Sequence, residues 1–193
     1  MTDAASFLFR FFLFAVLHSL LAIPTLKKRL IGQNRHLGRF YRLYYNIISL
    51  LFFGWVMAAF ANSAVLFVVP GVWSLVLYFM QMVFLIILAV CVRQTGTAEF
   101  LGISGKSQES VKSSKLVSNG CYRIVRHPLY LFSMLFLVSN PIVSVRSLLL
   151  TLIASLYFFV GAWLEERRLT LEFGKEYLDY QRSVPFIIPR IFM

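Results

Sequence analysis

Long apolar runs separated by basic segments constrain this chain more than any other feature. They extend from about Ala4 to Leu26, Leu43 to Ala61, Val72 to Val92, Leu129 to Val145 and Ser147 to Leu164. A hydrocarbon core of about 30 Å needs roughly 20 apolar residues in helical form, so these runs read as five candidate crossings. With 59% hydrophobic and only 14% charged residues, the chain has too little polar cover for a water-soluble domain of 193 residues. The expected fold is all-α: a polytopic membrane protein with about five transmembrane helices and a C-terminal cytoplasmic helical extension. It reads as a single integral membrane domain over 1–193, with three spans in 1–92, a cytoplasmic loop in 93–128 and a helical hairpin with a C-terminal segment in 129–193. Asn140 and Pro141 interrupt the fourth run, which is therefore either a kinked full crossing or one arm of a shorter hairpin.

Orientation follows from the cations. Of the 19 Lys and Arg residues, 17 fall in the connections after runs one, three and five, whereas the other two connections hold only Arg146. The positive-inside rule then puts the N-terminus outside and the C-terminus in the cytoplasm. This asymmetry and anionic lipid headgroups account for the net charge of +11, so nucleic acid is not an expected partner and membrane lipids are. Cys91 and Cys121 suggest neither a disulfide framework nor a metal site. Asp3 precedes the first run and no small-residue cleavage site follows it, so that run is expected to be a retained span.

Two sites stand out chemically. In Asn119–Tyr130, Arg126 and His127 immediately precede Pro128, which suits the first turn of a helix because its missing N–H would be unpaired there anyway. A helix start flanked by a guanidinium and an imidazole suits a carboxylate or phosphate. The same residues also suit a positive-inside anchor. At the end of run five, Glu165 and Glu166 oppose the helix dipole if the helix stops there, so it should continue through Leu169 and Phe173 to a terminator at Gly174. Successive residues point about 100° apart, so one acid can face inward while the other meets solvent or Arg168. A ligand meeting both sites carries an anion and a cation, as an amino-acid zwitterion does. S-adenosylmethionine carries one, with an adenine for which Tyr122, Tyr130 and Trp163 are stacking candidates.

Elsewhere, His18 lies near the middle of the first run, where an ionisable side chain usually faces protein or a cavity. It reads either as a pocket residue or as a neutral histidine bonded to a neighbouring helix. The Arg39–Asn46 segment is aromatic and basic, as interfacial anchors are, while Thr95–Gly102 reads as a pocket edge and Ser104–Ser118 as a mobile loop.

The series Gly120-x-Tyr122, Arg126-His127-Pro128-Leu129-Tyr130, Glu165-Glu166-x-x-Leu169, Phe173-Gly174-x-x-Tyr177-x-x-Tyr180 and Val184-Pro185-x-x-Ile188-Pro189 resembles the isoprenylcysteine carboxyl methyltransferase and phospholipid methyltransferase superfamily. The resemblance implies a multi-span helical fold that binds S-adenosylmethionine at the cytoplasmic side. Tyr122, His127, Pro128, Leu129, Tyr130, Glu165 and Glu166 become cofactor-site residues by it. Arg126 lies near the acceptor or the cofactor carboxylate, and Arg126 and Glu166 become the catalytic candidates. His18-Ser19, Arg39-x-x-Arg42, Tyr45-Asn46 and Glu99-Phe100-Leu101-Gly102 resemble the bacterial branch that includes methanethiol S-methyltransferase and NnrU-type proteins. That branch makes His18, Tyr45, Asn46 and Glu99 substrate-side candidates. It implies a monomer in a bacterial inner membrane acting on a small or lipid-like acceptor, be it thiol, carboxylate or lipid headgroup. Membrane sterol reductases share part of the series, but a nicotinamide cofactor's 2'-phosphate would prefer cations where Glu165 and Glu166 stand. A non-catalytic NnrU-like membrane protein is the other alternative.

The charge asymmetry predicts that a cytoplasm-active reporter fused to the C-terminus is active. Activity only of a reporter that requires the outer side would reverse the topology.

Overall fold

A computed structural model of the chain describes residues 3–60, 63–103 and 116–190, without the side chains of Arg35 and Glu99. Most of the Ser104–Ser118 segment expected as a mobile loop lies outside the described residues. In chain order the elements are α1 (Asp3–Ala22), α2 (Pro24–Ile31), α3 (Arg35–Met57), β1 (Val65–Val68), α4 (Val72–Gln94), α5 (Thr97–Leu101), α6 (Cys121–Ile124), α7 (Pro128–Val138), β2 (Ile142–Ser144), α8 (Val145–Phe173) and α9 (Lys175–Ser183). They form two compact units, one from α1, α2, α3 and α5, the other from the remaining elements.

In the first unit the apolar run of α1 ends where Pro24 opens α2, and Gly32, at φ 51°, closes α2. Asn34 then caps α3, its side chain accepting the Leu37 amide at 3.0 Å, so this helix starts eight residues before the expected apolar run. Helices α1 and α3 pack together through aromatic contacts such as Phe14 on Phe53, 5.7 Å between centroids. Arg10 donates to the Trp55 carbonyl at 2.9 Å and lies over its ring, which satisfies a cation inside an apolar helix. Asn46 donates to the carbonyls of Phe100 and Leu101, holding α5 against α3. Gly102, at φ 79°, sits so close to α3 that a Cβ there would lie 2.3 Å from the Leu43 amide nitrogen.

In the second unit α4 packs along α7, and α7 along α8. Ser144 and Ser147 make a reciprocal capping box that starts α8, which runs 29 residues through Glu165 and Glu166 before Gly174, at φ 55°, stops it. The continuation past Leu164 and its terminator are those read from the sequence. By contrast, α7 has only 11 residues, a length of about 16 Å, and ends at Ser139 before Asn140 and Pro141. The helix of the fourth run is therefore shorter than the roughly 20 residues that a straight crossing needs.

Among the described residues, α1, α4 and α8 are long and apolar enough to cross a membrane. The other two expected spans correspond to α7 and to α3, whose first half carries Arg35, Arg39 and Arg42.

Two pairings went unread in the sequence. β1 pairs antiparallel with β2, in the two connections that hold only Arg146 of the cations, with Phe67 opposite Val143. Cys91 and Cys121, read as giving no disulfide, are bridged, with Cα atoms 5.7 Å apart. A separation of 30 positions in the sequence hides a proximity that the end of α4 and the start of α6 create.

Gly102→Ala is expected to destabilise the protein by about 2 kcal/mol or more, since it adds left-handed strain to a backbone clash. Gly54→Ala, in a helix interior with open space around it, should stay within about 1 kcal/mol of the parent, or stabilise it. Thermal unfolding in detergent measures both.

Candidate functional site

The chain between α6 and α7 is extended at Val125, and its next two amides pair with the C-terminal segment. Arg126 N–H donates to the Pro185 carbonyl at 2.9 Å and His127 N–H to that of Phe186 at 3.2 Å. Pro128, fully buried, then opens α7 as its first residue. This backbone pairing fixes where the Arg126 and His127 side chains emerge.

Both side chains converge on one acid. Arg126 binds Glu166 bidentately, Nε to Oε1 and Nη2 to Oε2, each at 2.9 Å, while its Nη1 donates to the carbonyls of Gln181 and Val184. Glu166 also accepts from His127 Nε2 at 2.9 Å, Tyr177 Oη at 2.7 Å and Gln181 Nε2 at 2.5 Å. The anion held before the start of α7 is thus the chain's own Glu166. Its side chain is 12% exposed and that of Arg126 11%, so both charges are largely removed from water and sustained by each other and by this ring of donors.

Glu165 differs from its neighbour. It is 32% exposed, with one oxygen 3.7 Å from His127 Nδ1 and the other 3.6 Å from an Arg168 nitrogen. Successive positions on α8 therefore give one carboxylate enclosed by donors within the fold and one about a third exposed, beside His127, Arg168 and the Tyr130 hydroxyl.

Aromatic rings wall this region. His127 stacks on Tyr130 and meets Phe186 edge-on, and Tyr130 in turn stacks on Phe158. Leu129 is half-buried beside them. Trp163 already carries Arg167 over its ring at 3.8 Å, so that face is not open for stacking. Burial pushes the Tyr122 phenol well above its ordinary range, and the charge of Glu165 adds to this. Tyr177 is raised by burial and by its hydrogen bond to Glu166. Burial takes Tyr180 up to about 12, with Arg126 partly offsetting it. All three phenols remain protonated donors at neutral pH. Tyr180 uses its hydroxyl on the Tyr122 carbonyl, tying α9 to α6.

Tyr177, Gln181 and the Val184–Phe186 carbonyls complete the ring around Arg126 and Glu166, and none had been given this role from the sequence. A signal was present in the i, i+4 spacing of Tyr177 and Gln181, which places both on one face of α9.

The substrate-side candidates lie in the first unit. His18 Nε2 is 2.6 Å from the Tyr45 hydroxyl and its Nδ1 is 2.8 Å from Ser49 Oγ. Phe14, Leu17, Leu21, Ile48 and Phe52 line a small apolar cleft beside them. Asn46 reaches α5, the helix that contains Glu99. His18, Tyr45 and Asn46 therefore bridge elements of that unit, while the Glu99 side chain lies outside the described residues.

Known proteins resemble part of this chain. The profile of the phospholipid methyltransferase family matches residues 76–176, which include Arg126, His127, Glu165 and Glu166. Methanethiol S-methyltransferase 2 of Bradyrhizobium diazoefficiens is 44% identical over 71 residues, 37% of this chain and 27% of that protein. Methanethiol S-methyltransferase of Crocosphaera subtropica is 39% identical over 70 residues, 36% of this chain and 28% of that protein. The corresponding protein of Pseudomonas deceptionensis is 34% identical over 70 residues, 36% of this chain and 27% of its own length. The chain thus spans about a quarter of the length of the curated relatives it matches. No solved structure matches it significantly. The family profile covers more than half of the sequence, and the chain belongs to the phospholipid methyltransferase family.

Proposed function

We propose that this chain is an integral membrane methyltransferase that draws on S-adenosylmethionine at the cytoplasmic face and methylates a small thiol. The observation that carries this is the division of labour on α8: Glu166 is neutralised inside the fold while Glu165 stays partly exposed beside His127. Family membership supports the reaction class. The names of the relatives, all methanethiol S-methyltransferases, favour a thiol over a carboxylate or lipid headgroup as acceptor. The 17 cations on one side support the orientation.

The site fits such a cofactor at its amino end. Glu165 receives an ammonium, and Arg168, 57% exposed and already beside Glu165, meets a carboxylate. Tyr122, Leu129 and Tyr130 supply the half-buried wall. Arg126 bonds within the chain through Nε, Nη1 and Nη2, so it positions Glu166 and, with His127 and Pro128, the start of α7. When bound, S-adenosylmethionine supplies an electrophilic methyl group on a positively charged sulfur. The chain orients the reactants and excludes water from them. His18, Tyr45 and Asn46, with Glu99, are the residues proposed to serve the acceptor, and the protein acts as a monomer among membrane lipids.

Binding of S-adenosylhomocysteine to the solubilised protein tests the cofactor assignment. Glu165→Gln should weaken it by about tenfold, roughly 1.4 kcal/mol, with stability nearly unchanged. Glu166→Gln should lower stability by about 2–4 kcal/mol, because Arg126 loses its counter-charge in a largely buried place. Equal, small effects from both would reduce the pair to a solvated charge cluster. His127→Ala should weaken binding by about 1.5–3 kcal/mol, and unchanged affinity would make the imidazole a membrane-side anchor only.

A further inference from the structure

Cys91 is fully buried near the end of α4, and Cys121, 8% exposed, opens α6. Among the described residues, the bridge between them is one of three side-chain ties on this short helix. Gln94 Oε1 accepts the Cys121 amide at 2.9 Å, and the Tyr180 hydroxyl donates to the Tyr122 carbonyl. Gly120, at φ 57°, lies flat against the Gln94 amide, where a Cβ would stand 2.1 Å from Nε2. Of the three ties, only the bridge opens and closes by thiol chemistry. What it fastens matters, because Tyr122 sits within the field of Glu165 and the chain reaches Arg126 and His127 directly after α6.

On the orientation proposed above, this end of α4 faces the cytoplasm, where small thiols keep cysteines reduced and a disulfide is reversible and not merely structural. We propose that Cys91 and Cys121 form a dithiol–disulfide pair whose oxidised state locks α6 against α4 and thereby raises the ligand affinity of the Glu165 site. The proposal rests on the cofactor and orientation assigned under Proposed function. Oxidation takes one proton and one electron from each thiol, two of each in all, and passes them to a low-molecular-weight disulfide, which leaves as two thiols. Reduction returns through a mixed disulfide on Cys121, the less buried sulfur. Opening the bridge leaves α6 held by hydrogen bonds alone, so a smaller fraction of molecules presents Tyr122 and Glu165 together, and apparent affinity falls in proportion.

The full-length protein in detergent, equilibrated across ratios of reduced to oxidised glutathione, tests this with three readouts: alkylation to count free thiols, trypsin cleavage after the exposed Arg123, and S-adenosylhomocysteine affinity. The expected result is a titration between two free thiols and none. The oxidised form should be cut several-fold more slowly and bind about three- to tenfold tighter. Cys121→Ala and Cys91→Ala should behave as the reduced form at every ratio. A pair that never titrates, or that titrates with cleavage or affinity unchanged, overturns the proposal. Cleavage that follows the redox state while S-adenosylhomocysteine binds neither form would support the lock and refute the cofactor assignment instead.

Discussion

The bidentate pair between Arg126 and Glu166 holds the second unit's site together. Neither charge is well solvated, so each alone would cost several kcal/mol to bury. Together they are viable only because Tyr177, Gln181 and His127 fill the remaining acceptor capacity of Glu166, and two carbonyls take the rest of the guanidinium. These partners come from the α6–α7 junction, α8, α9 and the segment beyond it. One ion pair therefore ties the α6–α7 junction to a C-terminal stretch that begins 40 residues further on. Such a network contributes little net stability over an apolar core of equal volume, but breaking one member strands the others.

Local features were legible in the sequence. Pro128 marked the start of α7, Gly174 the end of α8, and two acids at the end of an apolar run marked a helix that had to continue. Each depends on neighbours a few residues away. The partner of Arg126 lies 40 residues on, the partner of Cys91 thirty, and β1 meets β2 across more than seventy. Helical periodicity carries no record of those separations. Arg126, His127 and Glu166 were each recognised as unusual, yet assigned to opposite ends of a ligand. An apolar run cannot reveal that its cation and its acid meet each other.

The same geometry separates Glu165 from Glu166. A helix that turns 100° per residue presents two adjacent carboxylates to different surroundings, and α8 gives one to the ion-pair network and the other to the outward face. His127 touches both, through Nε2 to Glu166 and Nδ1 toward Glu165, so the fixed network and the outward acid share one imidazole. The ring of donors around Glu166 thus holds this part of α8 in place, and with it the neighbouring Glu165.

The most direct measurement is methyl transfer itself. Purified protein in lipid nanodiscs would be given S-adenosylmethionine labelled in its methyl group together with a small alkyl thiol, a carboxylate acceptor or a phospholipid, and the labelled products identified. The account predicts label in the thioether of the small thiol, dependent on the protein. Label in the carboxylate or phospholipid product instead, or in none of the three, would contradict it.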